Sequence, residues 1–160
     1  MWNWNCRNVR KRPVRRISDM IFLDTNVLSE VMRPVPNANV IAWMNRQDPG
    51  DLLLTAVTVA EILYGIRRLP DGSRQTTLLK LANALFEEEF AQRILPFDAA
   101  VAMHYADLVC QRQQQGRPIG MADAQIAAIC RSVDGASLAT RNVKDFSGIG
   151  LALINPWDAI

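Results

Sequence analysis

Long apolar runs are missing from this chain. No stretch approaches the roughly 18 residues that a helix needs to cross a bilayer, so a membrane-spanning helix is not expected. Cysteine is scarce: Cys6, Cys110 and Cys130 are odd in number and form no Cys-x-x-Cys pair. Neither a disulfide framework nor a thiolate zinc site is suggested, and a reducing cytoplasm is the expected location. His104 is the only histidine, which leaves no histidine-built metal site and no two-histidine acid–base pair. Repeats and low-complexity tracts are absent. After Arg15-Arg16-Ile17-Ser18 only Met20 to Leu23 follow as an apolar segment, too short for the core of a twin-arginine signal.

With 160 residues, 49% of them apolar, the chain has enough material for one well-buried core and one domain. Its net charge of +2 is unevenly spread. Residues 1–19 hold six of the 18 basic residues (Arg7, Arg10, Lys11, Arg12, Arg15 and Arg16) and one of the 16 acidic ones, Asp19. The remainder therefore carries 12 basic and 15 acidic residues, a net −3. Residues 1–19 are read as a basic N-terminal extension, disordered or foreign to the folded unit, with a phosphate-binding arm as the alternative. The folded domain is expected over residues 20–160.

From Met20 onward short apolar runs alternate with longer amphipathic stretches, the pattern of an α/β fold with a mainly parallel sheet of about five strands flanked by helices. Strands are expected at Met20–Leu23, Leu52–Leu54, Ile94–Leu95, Ser137–Ala139 and Leu151–Ile154. Helices are expected over Thr25–Met32, Asn37–Gln47, Thr58–Leu69, Ser73–Phe90, from an Asp98 cap to Gln115, and Met121–Arg131. A polar segment with Arg141, Asn142, Lys144 and Asp145 joins the last two strands. Ligands of such sheets gather beyond the carboxyl ends of the strands, where strand order reverses, and Asp24 ends the first strand.

Four acids stand out by position. Asp24 opens Asp-Thr-Asn at a helix start, where an ordinary N-cap worth about 1 kcal/mol is the plainer reading. Glu61 lies in Val59-Ala60-Glu61-Ile62-Leu63, where a carboxylate must be paired, coordinated or turned to solvent. Asp123 follows Gly120-Met121-Ala122 in the first turn of a helix, where it also complements the helix dipole. Asp145 follows the strand ending at Thr140, as an ordinary loop acid would. Together, four acids at strand ends or helix starts of separate βα units suit magnesium or manganese, which prefer oxygen ligands. Such an ion would polarise a phosphodiester and help deprotonate an attacking water.

Five segments carry a family resemblance. Met20–Glu30 (MIFLDTNVLSE), Thr58–Ile66 (TVAEILYGI), Ile119–Ala128 (IGMADAQIAA), Leu138–Phe146 (LATRNVKDF) and Ile154–Trp157 (INPW) resemble, in order, the motifs of PIN-domain ribonuclease toxins of the VapC and FitB-like type. The resemblance runs from about Met20 to Asp158. It implies a metal-dependent endoribonuclease, the toxin of a type II toxin–antitoxin pair. The activity expected is hydrolysis of single-stranded or loop RNA, often transfer RNA, with Mg2+ or Mn2+ as cofactor. Asp24, Glu61, Asp123 and Asp145 fall on the family's catalytic and metal-binding acids, with Asn142 the alternative to Asp145 as the fourth position. Thr25, Asn26, Thr140 and Asn142 are expected to support them, the two threonines by orienting metal-bound water or simply by capping turns, and Arg141, by its place in the sequence nearest the predicted site, is the arginine expected to contact RNA. The implied partners are a small antitoxin of the VapB or FitA-like type and, from the apolar helix around Thr58–Ile66 and family habit, a second copy of the chain.

Two other readings compete. One is a catalytically inactive PIN-fold module that binds RNA or a partner. The other is a haloacid-dehalogenase-like phosphatase, disfavoured because Asn26 stands where an Asp-x-Asp motif needs its second acid. His104, the Glu87-Glu88-Glu89 run and Asp98 are read as structural or solvated, and Arg67, Arg68, Arg112 and Arg117 are too scattered to carry a reading.

Overall fold

A computed structural model describes residues 20–158. The basic extension inferred for residues 1–19 lies outside the described residues, as do residues 159 and 160. In chain order the elements are β1 (Ile21–Leu23), α1 (Thr25–Val31), α2 (Ala38–Met44), β2 (Leu52–Thr55), α3 (Ala56–Arg67), α4 (Ser73–Ala84), β3 (Ile94–Leu95), α5 (Ala99–Gln114), α6 (Met121–Arg131), β4 (Ser137–Ala139), α7 (Val143–Phe146) and β5 (Ala152–Ile154). The five strands form one sheet in the order β3-β2-β1-β4-β5, and every pairing is parallel. Ile21 sits opposite both Leu52 and Ser137, so β1 is central.

Successive strand residues point to opposite faces, and each face closes over its own core. Phe22, Leu53 and Leu138 pack with Val101 and Leu108 of α5, Ile126 and Ile129 of α6 and Phe146 of α7. Leu23, Leu52, Leu54 and Ala139 face the other way, onto Val27 and Leu28 of α1, Trp43 of α2 and Ile62 and Ile66 of α3. A strand buried on both sides has no polar alternation, which is why these runs read as continuous apolar segments.

Several boundaries differ from the sequence reading for local reasons. Helix α3 begins at Ala56 rather than Thr58, because Thr55 is at once the last strand residue and the cap: its hydroxyl accepts from the Thr58 N–H at 2.9 Å. The helix expected over Ser73–Phe90 is regular only to Ala84 and then widens into a π-helical turn over Leu85–Glu89, closed by Phe90 N–H to Leu85 O at 2.9 Å. The segment between β4 and β5 is not purely loop, since α7 forms within it. Asp98 caps α5 as expected, its Oδ1 accepting from Val101 N–H at 3.0 Å. At the other end Gly116 turns the chain with φ +65, a conformation that glycine adopts without a Cβ penalty.

In this α/β/α sandwich a cap and a core position should differ in cost. Asp98→Ala is expected to lower the unfolding free energy by about 1 kcal/mol and Leu138→Ala by about 2–5 kcal/mol. Urea titration of both variants checks this, and equal losses would contradict it.

Candidate active site

The chain steps from β1 outward to β2 and β3, then crosses back to β4 on the other side of β1. Strand order therefore reverses between β1 and β4, and a crevice opens at their carboxyl ends. Asp24 and Thr140 are the residues that follow those two ends. The backbone fixes Asp24 there: its N–H donates to Ala139 O at 3.0 Å, and its carbonyl accepts from Val27 N–H and Leu28 N–H as α1 begins.

The Asp24 side chain is only 4% exposed, yet it is fully engaged. Oδ1 accepts from Thr25 N–H at 2.7 Å, while Oδ2 accepts from the Thr140 hydroxyl and from Asn26 Nδ2, both at 2.6 Å. Asp24 is thus an N-cap and the centre of a side-chain hydrogen-bond network at once. Asn26 links onward, its Oδ1 accepting from Arg141 N–H at 3.0 Å. Thr140 Oγ1 also accepts from Asn142 N–H at 3.0 Å. Glu61, on the second turn of α3, is joined to the same group by the Thr25 hydroxyl, which donates to its Oε2 at 2.5 Å. Both threonine hydroxyls thus donate to carboxylates. What Asn142 supplies is its backbone N–H; its exposed side chain makes no capping bond to α7.

Asp123 enters from α6. Its carboxyl is pushed up to about 6, first by burial and then by the negative charges of Asp24, Glu61 and Asp145. Asp24 is raised as well: burial and the charge of Glu61 outweigh the hydrogen bonds from Thr140, Thr25 and Asn26 that favour its ionised form. The four acids therefore share one electrostatic neighbourhood, with Asp145 at its solvent-exposed edge. Among the described residues no lysine or arginine forms an ion pair with any of them; the recorded pair joins Arg33 to Glu30, a buried acid that also accepts from Asn37 N–H. As the side chains stand, no three His, Cys, Asp or Glu among the described residues are grouped to hold a metal ion. The side chains of Glu61 and Asp24 are turned onto their hydrogen-bond donors. In chemistry the set is all carboxylate oxygen, suited to a hard divalent cation.

Two residues were missed as individuals. Arg112, 4% exposed on α5, donates to Ser147 O at 2.9 Å and to Asp145 O at 3.3 Å, and so holds the turn that carries Asp145. Its spacing in the sequence resembles that of any helix arginine. Trp157 lies under the Arg141 guanidinium, 5.3 Å from ring centroid to Cζ. The closing Asn-Pro-Trp segment pointed to it, but not to what it touches.

Comparison with known proteins agrees with this geometry. The PIN domain model matches residues 21–150. VapC ribonuclease Y4jK of Sinorhizobium fredii is 40% identical over 139 residues, which span 87% of this chain and 99% of the relative. Toxin FitB of Neisseria gonorrhoeae is 39% identical over 138 residues, covering 86% and 99%. A solved structure of FitAB bound to an IR36 DNA fragment superposes with a TM-score of 0.82 at 38% identity, over 88% of this chain and 98% of that one. The chain belongs to the PIN-domain family, among the VapC and FitB toxins.

Proposed function

We propose that this protein is a magnesium- or manganese-dependent endoribonuclease, the toxin of a toxin–antitoxin pair, with RNA, transfer RNA included, as its substrate. One observation carries the reading: at the switch point of the sheet a buried Asp24 and an Asp123 with its carboxyl near 6 stand beside Glu61 and Asp145 with no cationic partner among the described residues. Such crowding raises the energy of the fold unless positive charge is supplied. The ribonuclease name of the Sinorhizobium fredii relative supports the same direction. A bound divalent ion supplies Lewis-acid polarisation of the phosphodiester and lowers the pKa of water. Asp24, Glu61 and Asp123 would hold the ion, with Asp145 beside them. Thr140 and Asn26 keep Asp24 oriented, and Thr25 steadies Glu61.

The antitoxin belongs to the same reading. A groove of about 980 Å³ runs between α1, α3 and α4, lined by Met32, Ile62, Ile66, Leu78 and Leu81 and reaching Glu61. An apolar segment of a small partner, of the VapB or FitA-like type, fits there and blocks access to the acids. Self-association uses the outer side of α3, where Tyr64 is 64% exposed. A monomer mass in light scattering at micromolar concentration would overturn that part.

A second reading is a module that binds RNA or a partner without cutting. Titrating magnesium and manganese against labelled RNA separates the two, since binding without cleavage at every ion concentration selects the second. On the nuclease reading, Asp24→Asn removes cleavage while the circular dichroism spectrum stays native. Thr140→Val, which withdraws only the hydroxyl that orients Asp24, costs about 10–100-fold. Retained cleavage in Asp24→Asn contradicts the assignment.

Stability should report the same charges. Asp24 and Asp123 bind protons more tightly in the fold than in the unfolded chain, where the carboxyl lies near 3.8. Their protonation therefore favours the native state. This contribution is fully present below about pH 4 and is lost as pH rises, for Asp123 through about 6. Without divalent ion, the melting temperature of the wild type relative to Asp123→Asn falls from pH 5 to pH 7.5. Manganese reverses the fall at pH 7.5. A pH-independent difference would contradict this.

A further inference from the structure

Arg141 is the first residue beyond Thr140, and its backbone is tied to Asp24 through Asn26. Its side chain makes no ion pair among the described residues. Instead the guanidinium rests on the Trp157 indole at 5.3 Å. That indole is itself held in place: Trp157 N–H donates to Asn155 Oδ1 at 3.2 Å, Trp157 O accepts from Asn39 Nδ2 at 2.9 Å, and the half-buried ring packs against the core on the α1 and α2 side. The other stacked arginines are placed differently. Arg68 lies over Tyr64 at the end of α3, and Arg93, over Phe90, donates to the carbonyls of Pro49, Leu52 and Glu89.

A guanidinium stacked on an aromatic face keeps its in-plane N–H donors free and loses much of its rotamer entropy before any ligand arrives. Those donors match a phosphate bidentately. Four acids around a catalytic centre repel a polyanion, so a strand entering the site needs positive charge at its border. Resting on the nuclease reading above, we propose that Arg141, braced by Trp157, is a phosphate clamp that grips the backbone of single-stranded RNA next to the scissile phosphate. RNA is favoured over a carboxylate of a protein partner because the clamp follows directly on the acid cluster, where each successive nucleotide brings one phosphate past it. The apolar groove between α1, α3 and α4 is instead the surface suited to a protein segment.

The test uses the full chain carrying Asp24→Asn and a fluorescein-labelled single-stranded RNA, read by anisotropy across a salt series. Adding Arg141→Ala weakens binding about tenfold and lowers the slope of log affinity against log salt by about 0.7, one phosphate contact on a single strand. Arg141→Lys recovers only part, because an ammonium neither forks nor stacks as a guanidinium does. Trp157→Ala weakens binding, and Trp157→Phe, which keeps a ring and guards against unfolding, retains most of it. In the cleavage-competent background Arg141→Ala raises KM about tenfold and leaves kcat within about twofold. Unchanged affinity, salt slope and KM in Arg141→Ala overturn the clamp while cleavage by the wild type keeps the nuclease reading standing. RNA binding that depends on Arg141 in a protein that never cleaves supports the clamp and overturns the nuclease. An acidic peptide whose binding needs Arg141, while RNA binding does not, assigns the arm to a protein carboxylate and overturns the proposal.

Discussion

A single buried carboxylate organises this molecule. Asp24 lies where strand order reverses, and its two oxygens collect donors from its own helix and from the far strand: Thr25 N–H, Asn26 Nδ2 and the Thr140 hydroxyl. An acid taken out of water in this way is costly unless its lone pairs are satisfied, and here they are. The Thr140 bond also joins β1 to β4 at their carboxyl ends, so one of the interactions that satisfy the carboxylate also ties the centre of the sheet. Loss of the Thr140 hydroxyl leaves an acceptor short of a donor in a place where solvent cannot replace it.

The other acids gather around Asp24. Glu61 is held by Thr25, the residue next to Asp24, and Asp123 is raised to about 6 by burial and by its three acidic neighbours. Nothing basic among the described residues offsets them at ion-pair distance. Asp24 and Asp123 are held above the usual carboxylate range with no cationic partner among the described residues, and carboxyls perturbed in this way are characteristic of functional sites. The arginines around the site divide the remaining work. Arg112 is buried and ties down the backbone at Asp145 and Ser147, whereas Arg141 is exposed and braced on Trp157.

Much of this was legible from residue order. Strands buried on both faces announced themselves as apolar runs without alternation, and Ile94–Leu95 and Ser137–Ala139 fall where they were expected. Three of the acids were visible because they interrupt an apolar context, as Asp24 does after Phe22-Leu23 and Asp123 before Ala124, whereas Asp145 stood out only by following the strand that ends at Thr140. Less legible were features that depend on tertiary contact. The start of α3 moved because Thr55 serves strand and helix together, and the end of α4 loosened because the π-helical turn lets Phe86 and Phe90 both enter the core. The threonines could be placed beside the acids, whereas the direction of their hydroxyls, toward Glu61 and Asp24, is a matter of side-chain geometry. Arg112 carries no local signature, and the Asn-Pro-Trp segment marks Trp157 without showing its contact, since what distinguishes the two is a carbonyl 33 residues away and a guanidinium from another strand end.

The account turns on whether the acid cluster accepts a divalent ion. Crystals grown with manganese, measured for anomalous scattering, decide this most directly. The expected result is a peak within coordination distance of Asp24 and of at least one of Glu61, Asp123 and Asp145, with Glu61 or Asp123 reoriented toward it. Crystals soaked in manganese with no peak between these side chains, or with one only on another surface, would contradict it.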